Sequence, residues 1–127
     1  VQEEGIIWDL RLPIACMAIA VGAMLGVAGA EMQTILNNPL ADPFTLGLSS
    51  AASFGAALAI VLGWSVIPNV GGLFVTVNAF VLAMLTSLSL FGFTKLRGVT
   101  PEAMILVGIA MLFTFNALLA FLQYGAT

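Results

Sequence analysis

The sequence predicts an all-α protein, a polytopic bundle of membrane-spanning helices, and three observations predict it. Of 127 residues, 61% are hydrophobic and only 7% charged, with a mean hydropathy of +1.16; ordinary soluble domains carry charge on about a quarter of their residues. Apolar runs long enough to cross about 30 Å of hydrocarbon as helices recur four times, at about 12–36, 44–63, 70–94 and 102–124. Almost every charged side chain lies outside these runs, Glu31 being the one inside and Glu102 opening the last.

The first run carries small residues at every fourth position, Ala18, Gly22, Gly26 and Ala30. Lipid tails are as apolar as leucine, so helices in a membrane associate by close backbone approach, which such a seam permits. Glu31 lies six residues before Asn37, about 9 Å from the helix end. That makes it an interfacial carboxylate, within reach of Lys95 or Arg97 at the same face. Cys16, the sole cysteine, has no internal disulfide partner and is expected as a small buried hydrophobe.

The segment `LNNPLADPFTLG` (36–47) then interrupts the apolar pattern with a polar, rigid knot. Pro39 disfavours helical geometry at Asn38 and ends the first helix. Asn37 and Asn38 offer side-chain donors to the carbonyls left open there. Asp42 followed by Pro43 predicts the start of the second helix, because the carboxylate accepts from orphan amides and proline suits the first helical position. Leu40 and Ala41 complete a hairpin of seven residues, Asn37, Asn38, Pro39, Leu40, Ala41, Asp42 and Pro43.

The second run holds the longest small-residue seam, Gly47, Ala51, Gly55, Ala59 and Gly63. The third has a shorter one, Ala79, Ala83 and Ser87. The fourth begins `VTPEAM`: Thr100 caps, Pro101 suits the first turn and Glu102 complements the positive helix end. Asn116 and Gln123 on that helix are seven apart and share a face; both interhelical hydrogen bonding and a sparsely polar pathway wall account for them.

Four spans put the hairpin and the link 95–101 on one side. Arg11 stands alone on the other side against Lys95 and Arg97, so the positive-inside rule places the hairpin in the cytoplasm. Trp8, Trp64 and Tyr124 all fall at span ends on the opposite side, where amphipathic rings favour the headgroup layer. The acidic first dozen residues followed by four apolar runs exclude a cleavable secretory signal as the source of the hydropathy. A net charge of −3 with three basic residues leaves no patch for nucleic acid. The sequence has no histidine, no nucleophile beside a base, no metal-ligand cluster and no phosphate-cradling G-x-x-x-x-G-K-[ST] loop, so neither catalysis nor a cofactor is expected of it. A start at Val1 and an end at Thr127 just after a span suggest a piece of a longer protein.

The order of the residues adds a resemblance. `WDLRLP` (8–13), `VGAMLGVAGAEMQTILNNPLADPFTLGLSSAASFGAAL` (21–58) and `ILVGIAM` (105–111) resemble the membrane permease subunit of FecCD-like ATP-binding-cassette importers for iron-siderophores, haem and cobalamin. Gly29, Gln33, Asn38, Pro39, Leu40, Ala41, Pro43 and Gly47 carry it in register. The chain departs from the pattern at Ile14, where a basic residue is usual after `LRLP`, and at Ala51 and Ala52, where a glycine often follows the serine. The resemblance implies a permease of roughly ten helices in the bacterial inner membrane. It would work as a homodimer in membrane lipid, with a cytoplasmic ATPase and a periplasmic or lipoprotein substrate-binding protein. The first dozen residues would then end a periplasmic loop, this chain would hold the second to fifth helices, and Thr100, Pro101 and Glu102 would be gate candidates. Other readings are a solute channel, since `NPLA` superficially resembles an asparagine–proline box, and a secondary transporter. The first needs two half-helix boxes where this sequence has one; the second needs ion sites near midplane, where these runs carry no charge.

Overall fold

A computed structural model describes residues 2–126, and within them every regular element is helical. A short helix α1 (Gln2–Gly5) passes through a π-helical stretch (Ile6–Arg11) into α2 (Leu12–Ile35). Then come α3 (Leu48–Leu62), a single 3₁₀ turn (Gly71–Leu73), α4 (Phe74–Thr94) and α5 (Pro101–Gly125). Three helical stretches are long and apolar enough to cross a membrane: Glu3–Ile35, Gly71–Thr94 and Pro101–Gly125. The predicted second run instead gives a 15-residue apolar helix, α3, about 22 Å long at the α-helical rise.

Residues 2–11, which the resemblance places at the end of a periplasmic loop, are helical. They continue α2 outward as helix, because good helix formers such as Glu3, Glu4, Leu10 and Arg11 fill them. Pro13 marks the join. Proline has no N–H to continue an i→i−4 ladder, and the turn before it is widened, with the Leu12 amide donating to the Ile7 carbonyl five residues back. Trp8 lies within this extension and is exposed.

The core sits where α3, α4 and α5 meet. Ala51 and Ala59 are fully buried along α3. At Gly55, between them, the helices come so close that an added Cβ would stand 2.6 Å from the Asn78 carbonyl oxygen. Of the small residues spaced along this stretch, Ala51, Gly55 and Ala59 lie on a buried face, and Gly55 meets α4 directly. On the α5 side of α3, Phe54 and Phe115 pack as tilted rings with centroids 6.0 Å apart. The seam on α2 behaves differently: Gly22 and Gly26 have no atom within 4 Å of an added Cβ, Ala30 is exposed, and no described residue of α2 proper is buried. Cys16 is likewise exposed on α2 within this chain, where the sequence suggested a buried hydrophobe.

Asn78 closes the far end of the α3–α4 pair. Its side chain is completely buried. Its Nδ2 donates to the Trp64 carbonyl at 2.6 Å and its Oδ1 accepts from the Val66 amide at 2.9 Å. After the left-handed Gly63 (φ 63°) ends α3, the chain has no ladder of its own, and one amide side chain supplies both partners. Asn78→Leu removes them together and leaves a part-buried donor and acceptor to find water, at a cost of up to about 1–3 kcal/mol each. The expected result is a lowered thermal midpoint of the detergent-solubilised protein and faster proteolysis between Gly63 and Gly71. Asn78→Asp, which keeps the acceptor, should retain the Val66 bond but lose the Trp64 one.

Candidate functional site

The polar hairpin between α2 and α3 is built almost wholly from its own backbone. Leu36 caps α2, and Asn37 follows in the left-handed conformation (φ 47°). The Asn37 amide donates to the Thr34 carbonyl at 3.3 Å and the Asn38 amide to the Gln33 carbonyl at 3.1 Å. These two bonds form a Schellman motif. The carbonyls are thus satisfied by backbone amides, where the sequence suggested side-chain donors. The reason is that asparagine tolerates positive φ better than most residues, which lets the backbone fold over the helix end. A Cβ added at Gly29, about two turns before Asn37, would stand 3.9 Å from Pro43 Cδ, so the hairpin folds back on α2.

Beyond it, the Ala41 amide donates to the Asn38 carbonyl at 3.1 Å, closing a β-turn with Pro39 at its second position. Asn38 Oδ1 accepts from the Leu40 amide at 2.9 Å, and Gln33 Nε2 reaches the Pro39 carbonyl at 3.0 Å. Asp42 does act as a cap, but not of α3. Its Oδ1 accepts from the amides of Phe44 at 2.7 Å and Thr45 at 2.9 Å, while the Thr45 hydroxyl donates to its carbonyl at 2.8 Å. Asp42 and Pro43 therefore open a separate turn, 43–47, and Gly47, left-handed at φ 75°, caps α3 at Leu48. The helix cannot begin at Pro43 because the chain must reverse its hand at Gly47 before α3 sets off.

That reversal seats the turn on α5. A Cβ on Gly47 would stand 2.7 Å from the Leu112 nitrogen, and one on Gly108 would collide with the Leu46 side chain and lie 2.8 Å from its Cα. Two glycines on opposite partners thus let a loop press directly on a helix backbone. Leu36, Ala41, Leu46, Leu90 and Met104 are buried together, with Val99 packed against them. The hairpin, the end of α4 and the 95–100 link consequently meet at one end of the bundle, while Trp64 and Val66 are tied to α4 at the other.

The remaining candidates fall as follows. Thr100 adopts extended geometry and its Oγ1 accepts from the Ala103 amide at 3.3 Å, with Pro101 opening α5 and Glu102 in its first turn. Thr100, Pro101 and Glu102 are exposed, as are Asn116 and Gln123. Lys95 lies over the Phe91 ring, 4.9 Å from its centroid, and Glu31 is exposed on α2. Asn78 and Gly108 were not singled out by sequence reasoning. The available signals were an asparagine inside an apolar run and a lone glycine in `ILVGIAM`. Asn37→Val is expected to lower the thermal midpoint markedly, because a β-branched residue is strained at positive φ. Asn37→Gly should leave it within about 1 kcal/mol of the parent.

The comparisons with known proteins decide the family at this point. The model of the FecCD transport family matches residues 1–127. The chain belongs to the FecCD transport family. A Methanocaldococcus jannaschii protein named as an ABC transporter permease, MJ0087, is 45% identical over 128 residues, covering 95% of this chain and 37% of the relative. The vitamin B12 import system permease protein BtuC of Yersinia enterocolitica is 36% identical over 121 residues, covering 95% of this chain and 35% of its own length. Among solved structures, one described as a metal-chelate type ABC transporter in an inward-facing conformation superposes with a TM-score of 0.77 at 30% identity, covering 95% of this chain and 36% of that one. The chain thus spans little more than a third of the relatives it matches. Those relatives are named as permeases, which accords with a transport subunit rather than an enzyme.

Proposed function

We propose that this chain is the second-to-fifth-helix part of the membrane permease of an ATP-driven importer, lying in the bacterial inner membrane and paired there with a second permease copy. A cytoplasmic cassette ATPase would supply the energy and a periplasmic or lipoprotein binding protein the cargo, an iron chelate (siderophore or haem) or a cobalamin. The observation that supports this reading is the seating of the turn 43–47, which follows the hairpin 37–43, on α5 through Gly47 and Gly108, within a fold shared with a metal-chelate type transporter. The relatives named for vitamin B12 import support a large metal-chelate cargo.

In this reading α2 to α5 each cross once, with the turn 43–47 extending the short α3. The hairpin and the 95–100 link face the cytoplasm, where Lys95 and Arg97 favour the inner surface. The small-residue seam of α2, Gly22, Gly26 and Ala30, packs against helices that complete the permease. Thr100, Pro101 and Glu102 lie at the inner mouth of the path, and Asn116 and Gln123 on its wall. A wall that is mostly apolar with scattered amides and hydroxyls suits passage of a bulky hydrophilic chelate, because a tight pocket would slow release.

The test is uptake of labelled ferric siderophore, haem and cobalamin into proteoliposomes holding the full permease with its ATPase and binding protein. One of these cargoes is expected to accumulate only with ATP inside the ATPase compartment and to be unaffected by a protonophore. Uptake that follows the proton gradient and persists without ATP would reject the importer reading in favour of a secondary transporter. Asn116→Leu is expected to lower the uptake rate at unchanged expression; an unchanged rate would remove Asn116 from the path.

A further inference from the structure

Residue for residue α3 is as apolar as α4, but its side chains are small. In `LSSAASFGAALAIVL` the large apolar ones are Leu48, Phe54, Leu58, Ile60, Val61 and Leu62, and every other position is alanine, serine or glycine. Transfer from water to an apolar phase scales with the apolar area a side chain carries, and leucine, isoleucine, valine and phenylalanine drive a helix into lipid. Alone in lipid, α3 would present three serines and a face of alanine and glycine. It is also short: 15 residues rise about 22 Å, against about 30 Å of hydrocarbon. The next helix has neither shortfall, since Gly71–Thr94 is long and apolar enough to cross.

The packing hides what α3 lacks. It lies more extensively on α4 than on any other described element. Ala51, Gly55 and Ala59 are buried, and a Cβ on Gly55 would stand 2.6 Å from the Asn78 carbonyl oxygen and 3.1 Å from the Leu82 Cβ. The face that gains least from lipid is thus the one covered by protein, while Ile60 and Leu62 stay outward. The connection is fastened as well. The buried Asn78 side chain holds the Trp64 carbonyl and the Val66 amide, and both reach it only when the chain has turned back from α3 along α4. We propose that α3 does not enter the membrane by itself but together with α4, as one helical hairpin closed by Asn78. The proposal rests on the topology argued above, in which α3 crosses. It does not depend on the cargo.

The experiment reads the side of Ile67, in the loop between the two helices, in the full permease with its native cysteines replaced by alanine. Spheroplasts producing the Ile67→Cys protein are pulse-labelled and treated with a membrane-impermeant maleimide before unstable chains are degraded. The parent is expected to label from outside. Leu85→Asp with Leu88→Asp, at exposed positions of α4, puts two carboxylates near the middle of that helix, where each strongly opposes insertion. Outside labelling of Ile67→Cys should then fall by about fivefold or more, because α3 stays behind with α4. Adding Ser49→Leu and Ser53→Leu, at exposed positions of α3, should restore it to within about twofold of the parent, since α3 then carries enough apolar area of its own while α4 remains charged. Undiminished labelling in the aspartate variant would show that α3 enters alone and overturns the proposal. So does a loss that the leucines fail to repair. A parent that labels only from inside is a different result: it removes the crossing of α3, and the proposal falls with the topology.

Discussion

Gly47→Val is expected to abolish recovery of a folded, monodisperse protein. Two independent costs meet at this position. Gly47 has φ 75°, a left-handed geometry that costs a residue with a Cβ about 1–2 kcal/mol. The same Cβ would stand 2.7 Å from the Leu112 nitrogen and 3.1 Å from its Cα. Those are backbone atoms in the middle of α5, so relief requires moving the helix, and overpacking of this kind costs about 1–3 kcal/mol or more. The sum, about 2–5 kcal/mol, is a large share of the 5–15 kcal/mol that stabilises a typical protein. Gly47→Ala already carries both costs and should be nearly as damaging. Gly63→Ala is the control: it shares the left-handed geometry at φ 63° but meets nothing within 4 Å. It should lower the thermal midpoint only modestly. Equal behaviour of Gly47→Ala and Gly63→Ala would show that the seat on α5 contributes nothing.

Gly55→Leu should part α3 from α4. Gly55 is helical, so here the cost is purely steric: its Cβ would lie 2.6 Å from the Asn78 oxygen and 3.0 Å from the Asn78 carbonyl carbon. Because Asn78 also holds Trp64 and Val66, a shift of α4 there strains the loop at the same time, and the two losses should be coupled. A double-mutant cycle between Gly55→Leu and Asn78→Leu is expected to show less than additive destabilisation. Gly26→Leu gives the contrast, since nothing stands within 4 Å of an added Cβ there; it should leave the thermal midpoint of this chain unchanged or raise it slightly through helix propensity. Thermal unfolding in detergent, monitored by circular dichroism, measures all three.

How far the sequence disclosed this architecture depends on whether a residue acts locally or across helices. The apolar runs became helices because lipid leaves the backbone no other way to satisfy itself, and composition alone reports that. Thr100 and Pro101 open α5 as their types predict, since capping involves only the adjoining turn. The hairpin was legible as a turn but not in its detail. Asn37 and Asn38 contribute through backbone geometry that residue identity permits without dictating. Asp42 and Pro43 satisfy the rules for a helix start, and they do start a turn; what stops that turn from becoming α3 is the left-handed Gly47 pressed on Leu112, a contact 65 positions away in sequence by subtraction of the residue numbers. Asn78 and Gly108 escaped notice for the same reason: a lone polar residue or glycine in an apolar run gains its meaning from the helix opposite. The α2 seam has the same four-residue spacing as that of α3, yet only the latter has a partner in this chain. Spacing marks a surface able to pack closely and cannot name what packs there.

The arrangement of four crossings is the claim on which the rest stands, and thiol labelling tests it most directly. In the full permease with Cys16 replaced by alanine, single cysteines at Leu40, Gly98 and Ile67 are treated with a membrane-impermeant maleimide in right-side-out and inside-out vesicles. Leu40→Cys and Gly98→Cys should label only in inside-out vesicles, and Ile67→Cys only in right-side-out ones. Labelling of Leu40→Cys and Ile67→Cys from the same side would show that α3 does not cross, and the importer topology proposed for this chain would be contradicted.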